Sequence, residues 1–285
     1  MTETEFLAAL RTLPLHPGAR DLRDDCALLE IGGETLVINH DTMVEDVHFR
    51  READLSDVAW KLVAINLSDL AGKGAEPVGM ILGHSLGGND LEFVKGLREV
   101  LAVYDIPLMG GDTVAATGAT TFSVTAIGRA TCRPVPSRMG AKVGDGIYVT
   151  GSLGRAMLGF EGHGEYLPAF DRPVPLLDEG RTLAPVVTAM MDVSDGLLLD
   201  VHRMGRASNA TMCIDSRAVP VALPARSAEC MRWGDDYELL FTFPPGSEPP
   251  VPATRIGNVE ARSEAPLRLD GKPLIAADGL GYHHG

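Results

Sequence analysis

The chain is short of several things that mark familiar classes of protein. Aromatic residues make up 5% of its 285 positions, and it has four cysteines. Cys26, Cys132, Cys213 and Cys230 show neither metal-ligand spacing nor the density of a disulfide scaffold, so reduced thiols and a cytoplasmic location are expected. Basic residues are scarce: 25 Lys and Arg face 39 Asp and Glu, a formal net charge of −14. Nucleic acid and anionic lipid surfaces are therefore poor partners. No apolar run approaches the about 18 residues of a membrane span, and no signal-peptide core follows the acidic N-terminal residues. Three nucleotide signatures are missing as well: the phosphate loop, the Gly-x-Gly-x-x-Gly turn and the protein-kinase set. Ala71-Gly72-Lys73-Gly74 is not a phosphate loop.

What is present is a soluble, globular composition, 45% hydrophobic and 22% charged, long enough for two domains. Apolar spacing predicts a helix over 3–13, with Phe6, Leu7, Leu10 and Leu13 on one face. A hairpin is predicted from 26–31 and 35–40 around Gly32-Gly33. A long helix starts at a Ser56 cap and ends near Gly72 and Gly74. Strands are predicted over 78–83, 106–109 and 121–127, with a helix from Asn89 or Asp90 to Tyr104. The segment Cys132–Arg138 holds two prolines and reads as a linker. It divides the chain into an N-terminal α/β domain, 1–136, and a C-terminal α/β domain, 137–285. The second domain shows strands near 147–150, 189–193, 210–215, 236–243 and 254–259, with a helix running to Ala207. The class is mixed α/β.

The chemistry is carried by isolated aspartates where apolar runs turn polar: Asp24-Asp25, Asp41, Asp112, Asp192 and Asp195, with Asp69 on the long helix. Each alone reads as a cap or turn. Together, beside Gly, Ser and Thr and with few basic neighbours, they suit hard cations held by oxygen ligands, and Mg²⁺ in turn recruits phosphates. One competing pattern is Gly83-His84-Ser85-Leu86-Gly87, a nucleophile-elbow match after an apolar strand, with Asp192 or Asp195 and His202 or His283 to complete a triad. Against it, Gly87-Gly88 delays the next helix, and no oxyanion loop precedes.

Taken in order, these motifs resemble thiamine-monophosphate kinase. The matching stretches are Asp24-Asp25-Cys26-Ala27, Asn39-His40-Asp41-Thr42 with His48-Phe49, Trp60-Lys61 through Asn66-Leu67-Ser68-Asp69-Leu70, Gly110-Gly111-Asp112-Thr113, Ser137-Arg138, Asp192-Val193-Ser194-Asp195-Gly196-Leu197 and Asp235-Asp236-Tyr237-Glu238-Leu239. They cover 24–243, with a weaker echo at Gly281-Tyr282-His283. The wider superfamily includes aminoimidazole ribonucleotide synthetase. The resemblance implies a two-domain aminoimidazole ribonucleotide synthetase-like fold whose N-terminal domain pairs in a homodimer. It implies transfer from ATP, as co-substrate, to thiamine monophosphate. It further implies Mg²⁺ ligands at Asp25, Asp41, Asp69, Asp112, Asp192 and Asp195, nucleotide contacts at Tyr104, Gly111, Arg138 and Ser194, and substrate contacts at His48, Asp235 and Tyr282. Departures are Asp21-Leu22-Arg23 where the family has Gly-x-Gly, and Asn39-His40 where it has small hydroxyl residues.

A phosphate-monoester acceptor is already mostly ionised at neutral pH, its second pKa being about 6. No general base is needed, and the task is to bring two anions together. The expected reaction is therefore direct in-line transfer. The alternatives are another ATP-using member of the superfamily, a metal- or nucleotide-binding module without activity, and a serine hydrolase built on Ser85.

Overall fold

The computed structural model describes residues 2–115 and 117–283, apart from the side chains of Glu3 and Thr4. The chain opens with α1 (Glu3–Leu10), whose cap Thr2 exchanges hydrogen bonds with Glu5. The helix stops short of the predicted residue 13, and Phe6 and Leu13 are exposed. A left-handed segment follows, with Arg20, Asp21 and Leu22 at φ of 50°, 56° and 51°. Non-glycine residues are strained there by about 1 kcal/mol or more each. Arg11 fastens the segment, donating from Nε and Nη2 to the Asp21 and Leu22 carbonyls, both at 2.9 Å.

The first sheet begins with β1 (Ala27–Ile31) and β2 (Glu34–Val44), joined through Gly32 and Gly33 at φ of 58° and 89°. Two positive φ values in a two-residue loop match the right-handed twist of a hairpin. Then come α2 (Leu55–Gly72), β3 (Ala75–Leu86), α3 (Asp90–Tyr104), β4 (Leu108–Ala115) and β5 (Thr121–Ala130). The strand order is β1-β2-β5-β3-β4, with β3 and β4 parallel across α3. The cap of α2 is Asp54 rather than Ser56, its carboxylate accepting from the Ser56 amide at 2.8 Å. One face of the sheet packs Val37, Met43, Met80, Phe122 and Val124 against Leu62, Leu67 and Phe93 of the helices. The other face is open: Thr121, Ser123, Thr125 and Ile127 are half-buried, and Ile81 and Val114 are exposed.

Strands β2, β3 and β4 outrun their predicted lengths. Polar and glycine residues continue them because neighbouring strands supply the pairing: Asp41 lies opposite Val124, and Gly83 opposite both Ser123 and Asp112. Asp41 and Asp112 thus sit within strands, not beyond their ends.

The second sheet is built from β6 (Gly146–Val149), α4 (Arg155–Phe160), α5 (Leu167–Asp171), α6 (Leu177–Leu183), β7 (Ala189–Asp192), α7 (Leu197–Ala207), β8 (Ala210–Ile214), α8 (Ser227–Trp233), β9 (Leu239–Phe243), β10 (Thr254–Ala261), β11 (Leu267–Leu269) and β12 (Lys272–Leu274). Its order is β12-β11-β8-β10-β6-β9-β7. Helices α4 and α8 and strands β11 and β12 have no counterpart in the sequence reading; at three to seven residues they are too short for periodicity to register.

The two sheets meet where the last turn of α2 lies on β7. A Cβ added to Gly72 would sit 3.2 Å from the Asp192 amide nitrogen, a tight contact that glycine avoids. Among the described residues, no helix is long and apolar enough to cross a membrane.

Candidate active site

That close approach brings together carboxylates from three elements. Asp25 precedes β1, Asp69 lies on α2 and Asp192 ends β7; one oxygen from each falls within 4.8 Å of the others. With Asp41, Arg138, Ser194 and Asp195 they line a cavity of about 680 Å³ between the sheets. Asn39 Nδ2 donates to Asp69 Oδ2 at 2.8 Å and to Asn66 Oδ1 at 3.0 Å. Ser68 Oγ donates to Asp192 Oδ2 at 2.6 Å. Two acceptors stay buried without a donor, Asn39 Oδ1 and Asp192 Oδ1. Orphaned buried oxygens beside clustered carboxylates are the donor set a hard divalent cation takes.

The electrostatics agree. Burial pushes Asp192 up to about 6 against the Ser68 hydrogen bond, and the charge of Asp41 adds to the rise. Burial, then Asp41 and Asp192, hold Asp69 well above the usual carboxylate range. Asp41 is raised too, chiefly by burial. Carboxylates this close and this dry do not all ionise without a counter-charge.

Part of the counter-charge is internal. The Lys73 side chain is wholly buried, with Nζ 2.6 Å from Asp24 Oδ1 and 2.9 Å from Asp25 Oδ2. Burial works to raise Asp24, but Lys73, with Arg20 and Arg138 behind it, overrides burial and holds the group at about 2. Arg138 grips both oxygens of Asp25. Arg203 pairs with Asp195 and, at 3.2 Å, with Asp200. Lys73 and Arg203 escaped the sequence reading. The available signal for Lys73 was its place among Ala71, Gly72 and Gly74, small neighbours that let a helix end be buried whole.

The expected substrate contacts lie around this cavity. His48 accepts from the Val44 amide at 3.1 Å and lines a second cavity, of about 200 Å³, with Lys61, Phe160 and Phe170. Asp235 bridges the two cavities, accepting from Lys61 Nζ at 2.7 Å and from the Tyr237 hydroxyl at 2.8 Å. Tyr237 borders the first cavity. The Tyr282 amide donates to the Asp195 carbonyl at 2.9 Å, and its ring is exposed.

The structure does not bring every expected residue together. Arg138 and Ser194 line the first cavity, whereas Tyr104 packs edge-on against Trp60 at 6.1 Å. Gly111 occupies the cross-strand row of Asp41, through Val124 and Leu82. That row spans three strand spacings, about 14 Å. Asp112 is one residue further on and points to the opposite face. Within one chain Asp112 and Asp41 therefore cannot share an ion. His40 also points to that face, its Nδ1 lying 2.9 Å from Thr125 Oγ1.

The hydrolase alternative fails on geometry. Ser85 lies inside β3, buried, with Oγ donating to the Thr121 carbonyl and accepting from the Thr121 amide, both at 2.8 Å. Helix α3 starts only at Asp90, whose carboxylate takes up His84 Nε2 at 2.8 Å. Nor do Ser194 and Asp195 serve as caps: Gly196 holds the N-cap of α7, with no side-chain bond.

Two family models match the chain: AIR synthase related protein, N-terminal domain, over residues 23–130, and AIR synthase related protein, C-terminal domain, over residues 142–265. Fold and site together thus define a two-domain protein of the AIR synthase related class, with its carboxylates at the junction. Thiamine-monophosphate kinase of Escherichia coli K12 is 34% identical, over 92% of this chain and 90% of that protein. That of Caulobacter vibrioides is 36% identical over 85% and 77%, and that of Archaeoglobus fulgidus 31% identical over 92% and 90%. The chain belongs to the thiamine-monophosphate kinase family. Among solved structures, thiamine-monophosphate kinase from Stenotrophomonas maltophilia superimposes with a TM-score of 0.77 at 31% identity, over 95% of this chain and 96% of that one. AaThiL complexed with AMPPCP and TMP shares the fold at a TM-score of 0.89 and 24% identity, over 100% and 97%.

Proposed function

We infer that the chain phosphorylates thiamine monophosphate with ATP, giving thiamine diphosphate and ADP, by direct Mg²⁺-dependent transfer at the cleft between the two sheets. The observation that carries the metal-dependent reading is the buried cluster of Asp25, Asp69 and Asp192 with two orphaned acceptors beside it. Asp25, Asp69 and Asp192, with Asp41 and Asn39 Oδ1, would hold Mg²⁺; when bound, it neutralises the two anions that must meet. Arg138, now on Asp25, is our candidate for the nucleotide phosphates, with Ser194 beside it. Exchanging its carboxylate for a phosphate frees Asp25 for a metal.

The substrate lies across the two cavities in this reading. Glu52, Asp54, Asp57 and Asp171 outnumber Arg50 and Lys61 in the smaller one, and the two cations lie over the rings of Phe160 and Phe170 at 4.4 and 3.7 Å, where a cationic ligand would replace them. Acid and aromatic surface suits a cationic heteroaromatic body. The phosphate end then passes Asp235 toward the carboxylate cluster.

We also assign residues 1–136 and 137–285 as the domains, and a homodimer through the first sheet. The open face of that sheet and the wholly exposed β4 support the dimer. So does Asp112, which reaches a carboxylate cluster only if a second copy supplies the cluster. The test is purified protein with ATP, thiamine monophosphate and Mg²⁺, followed for ADP and thiamine diphosphate. Thiamine diphosphate should form only with metal present; its absence at saturating substrates sinks the reading. Turnover that survives excess chelator sinks the metal.

A further inference from the structure

A third cavity, of about 290 Å³, abuts the first between α1 and α7. Five arginines line it, Arg11, Arg23, Arg138, Arg203 and Arg206, and no carboxylate does. In a chain of net charge −14 this is a concentrated reversal of sign. We propose that this arginine-lined cavity is a separate anion site that takes a phosphate-bearing ligand without a divalent cation.

Three observations carry it. Among the described side chains, Arg11, Arg23 and Arg206 form no ion pair; Arg11 bonds only backbone carbonyls. Their charge is uncompensated, and guanidinium groups match phosphate oxygens two at a time. His202, 1% exposed and in the same wall, bonds the Ile275 carbonyl through Nε2 and leaves Nδ1 buried without a partner. Donating at Nε2, it presents an acceptor at Nδ1, which a singly protonated phosphate would satisfy. Finally, Arg138 and Arg203 border both cavities. An anion in the arginine cavity competes with Asp25 and Asp195 for those two guanidinia, so occupancy there favours release of carboxylates toward the metal. The site differs from the carboxylate cleft in kind: one takes phosphate through a cation, the other through fixed positive charge.

The test is titration of the full chain with inorganic diphosphate in excess chelator, read by calorimetry and thermal shift. Saturable binding is expected, weakened about tenfold by Arg23→Ala or Arg206→Ala, as loss of one charged hydrogen bond implies. Both side chains are exposed and unpaired, so these variants keep the fold. Asp192→Asn should leave the binding unchanged. ADP titrated in parallel separates the sources: affinity equal to diphosphate marks a free anion, and affinity at least tenfold higher marks a nucleotide tail. No saturable binding, binding indifferent to both arginine variants, or binding lost in Asp192→Asn overturns the proposal. The kinase reading fails separately, on metal-dependent turnover, which diphosphate titration under chelator does not measure.

Discussion

Strands β7 and β4 are both edge strands, and each carries an aspartate of the expected metal set. β7 buries all four of its residues; β4 buries none of its eight. The edge of β7 is sealed: α2 packs on it through Gly72, and the Met190 amide donates to the Ser137 carbonyl at 3.1 Å. Asp192 is thereby set permanently against Asp69. The edge of β4 is bare, and Asp112 stands in solvent beside Leu108, Met109 and Val114, all exposed. A bare edge of that length is a pairing hazard unless something covers it. The difference teaches that folding alone brings Asp192 to its carboxylate partners, while Asp112 joins such a cluster only in the dimer proposed above.

The largest effects should come from breaking each half separately. Asp41→Asn and Asp112→Asn are each expected to lower kcat by about 10²-fold or more, as removal of transition-state charge stabilisation does. Mixed in one preparation, the two dead variants should recover about a quarter of wild-type turnover, since random pairing leaves one intact site in half of the dimers. No recovery would place Asp112 outside the partner's site. On the sealed side, Lys73→Met leaves Asp24 and Asp25 buried and short of a cation, with an expected cost of about 3–5 kcal/mol in urea unfolding under chelator. A loss within about 0.5 kcal/mol would show that the cluster relaxes by taking up protons.

Packing separates the edges next. Met190→Ala should destabilise by about 2–5 kcal/mol. Val114→Asp should leave monomer stability within about 0.5 kcal/mol while shifting sedimentation from dimer to monomer. A sharper test uses pH. Burial, then Glu238 and Asp235, push Asp236 up to about 8 against its backbone hydrogen bonds. A raised carboxyl group is costly only when ionised, so its penalty grows as pH climbs from its unfolded value, about 3.9, to 8. Asp236→Asn should flatten the melting-temperature profile over that range; an unchanged slope counts against the assignment. The smallest effect belongs to Ser85→Ala, expected to leave turnover within about twofold, because that hydroxyl serves only Thr121.

Much of the sealed half was legible. Asp25 precedes an apolar run, and Asp69 and Asp192 interrupt or end one, each beside small residues, and that juxtaposition survives as geometry. Their convergence was legible only as a pattern of residue types, because it depends on Gly72 meeting β7. Lys73 was harder to read: its small neighbours permit a buried helix end, but a lysine between glycines reads as surface until its surroundings are known. Strand lengths were misjudged where Gly110-Gly111 and Asp41-Thr42 break the hydropathy, since pairing with β5 and β3, not local propensity, keeps those residues extended. His40 looked like a flaw in a ligand set. Alternation along β2 instead turns it to the open face and leaves Asn39 on the carboxylate side, with its Oδ1 orphaned.

The ion pair between Lys73 and Asp24 also constrains how this sequence can drift. Both side chains are fully enclosed, so losing either one leaves the other in a dry interior with a single partner of opposite charge among those it now has, Arg20 for Asp24 or Asp25 for Lys73. A lineage that exchanged the pair for two apolar residues could be as stable as this one, yet every single-step route passes through a penalised intermediate. The two positions should therefore change together or not at all among descendants of this chain.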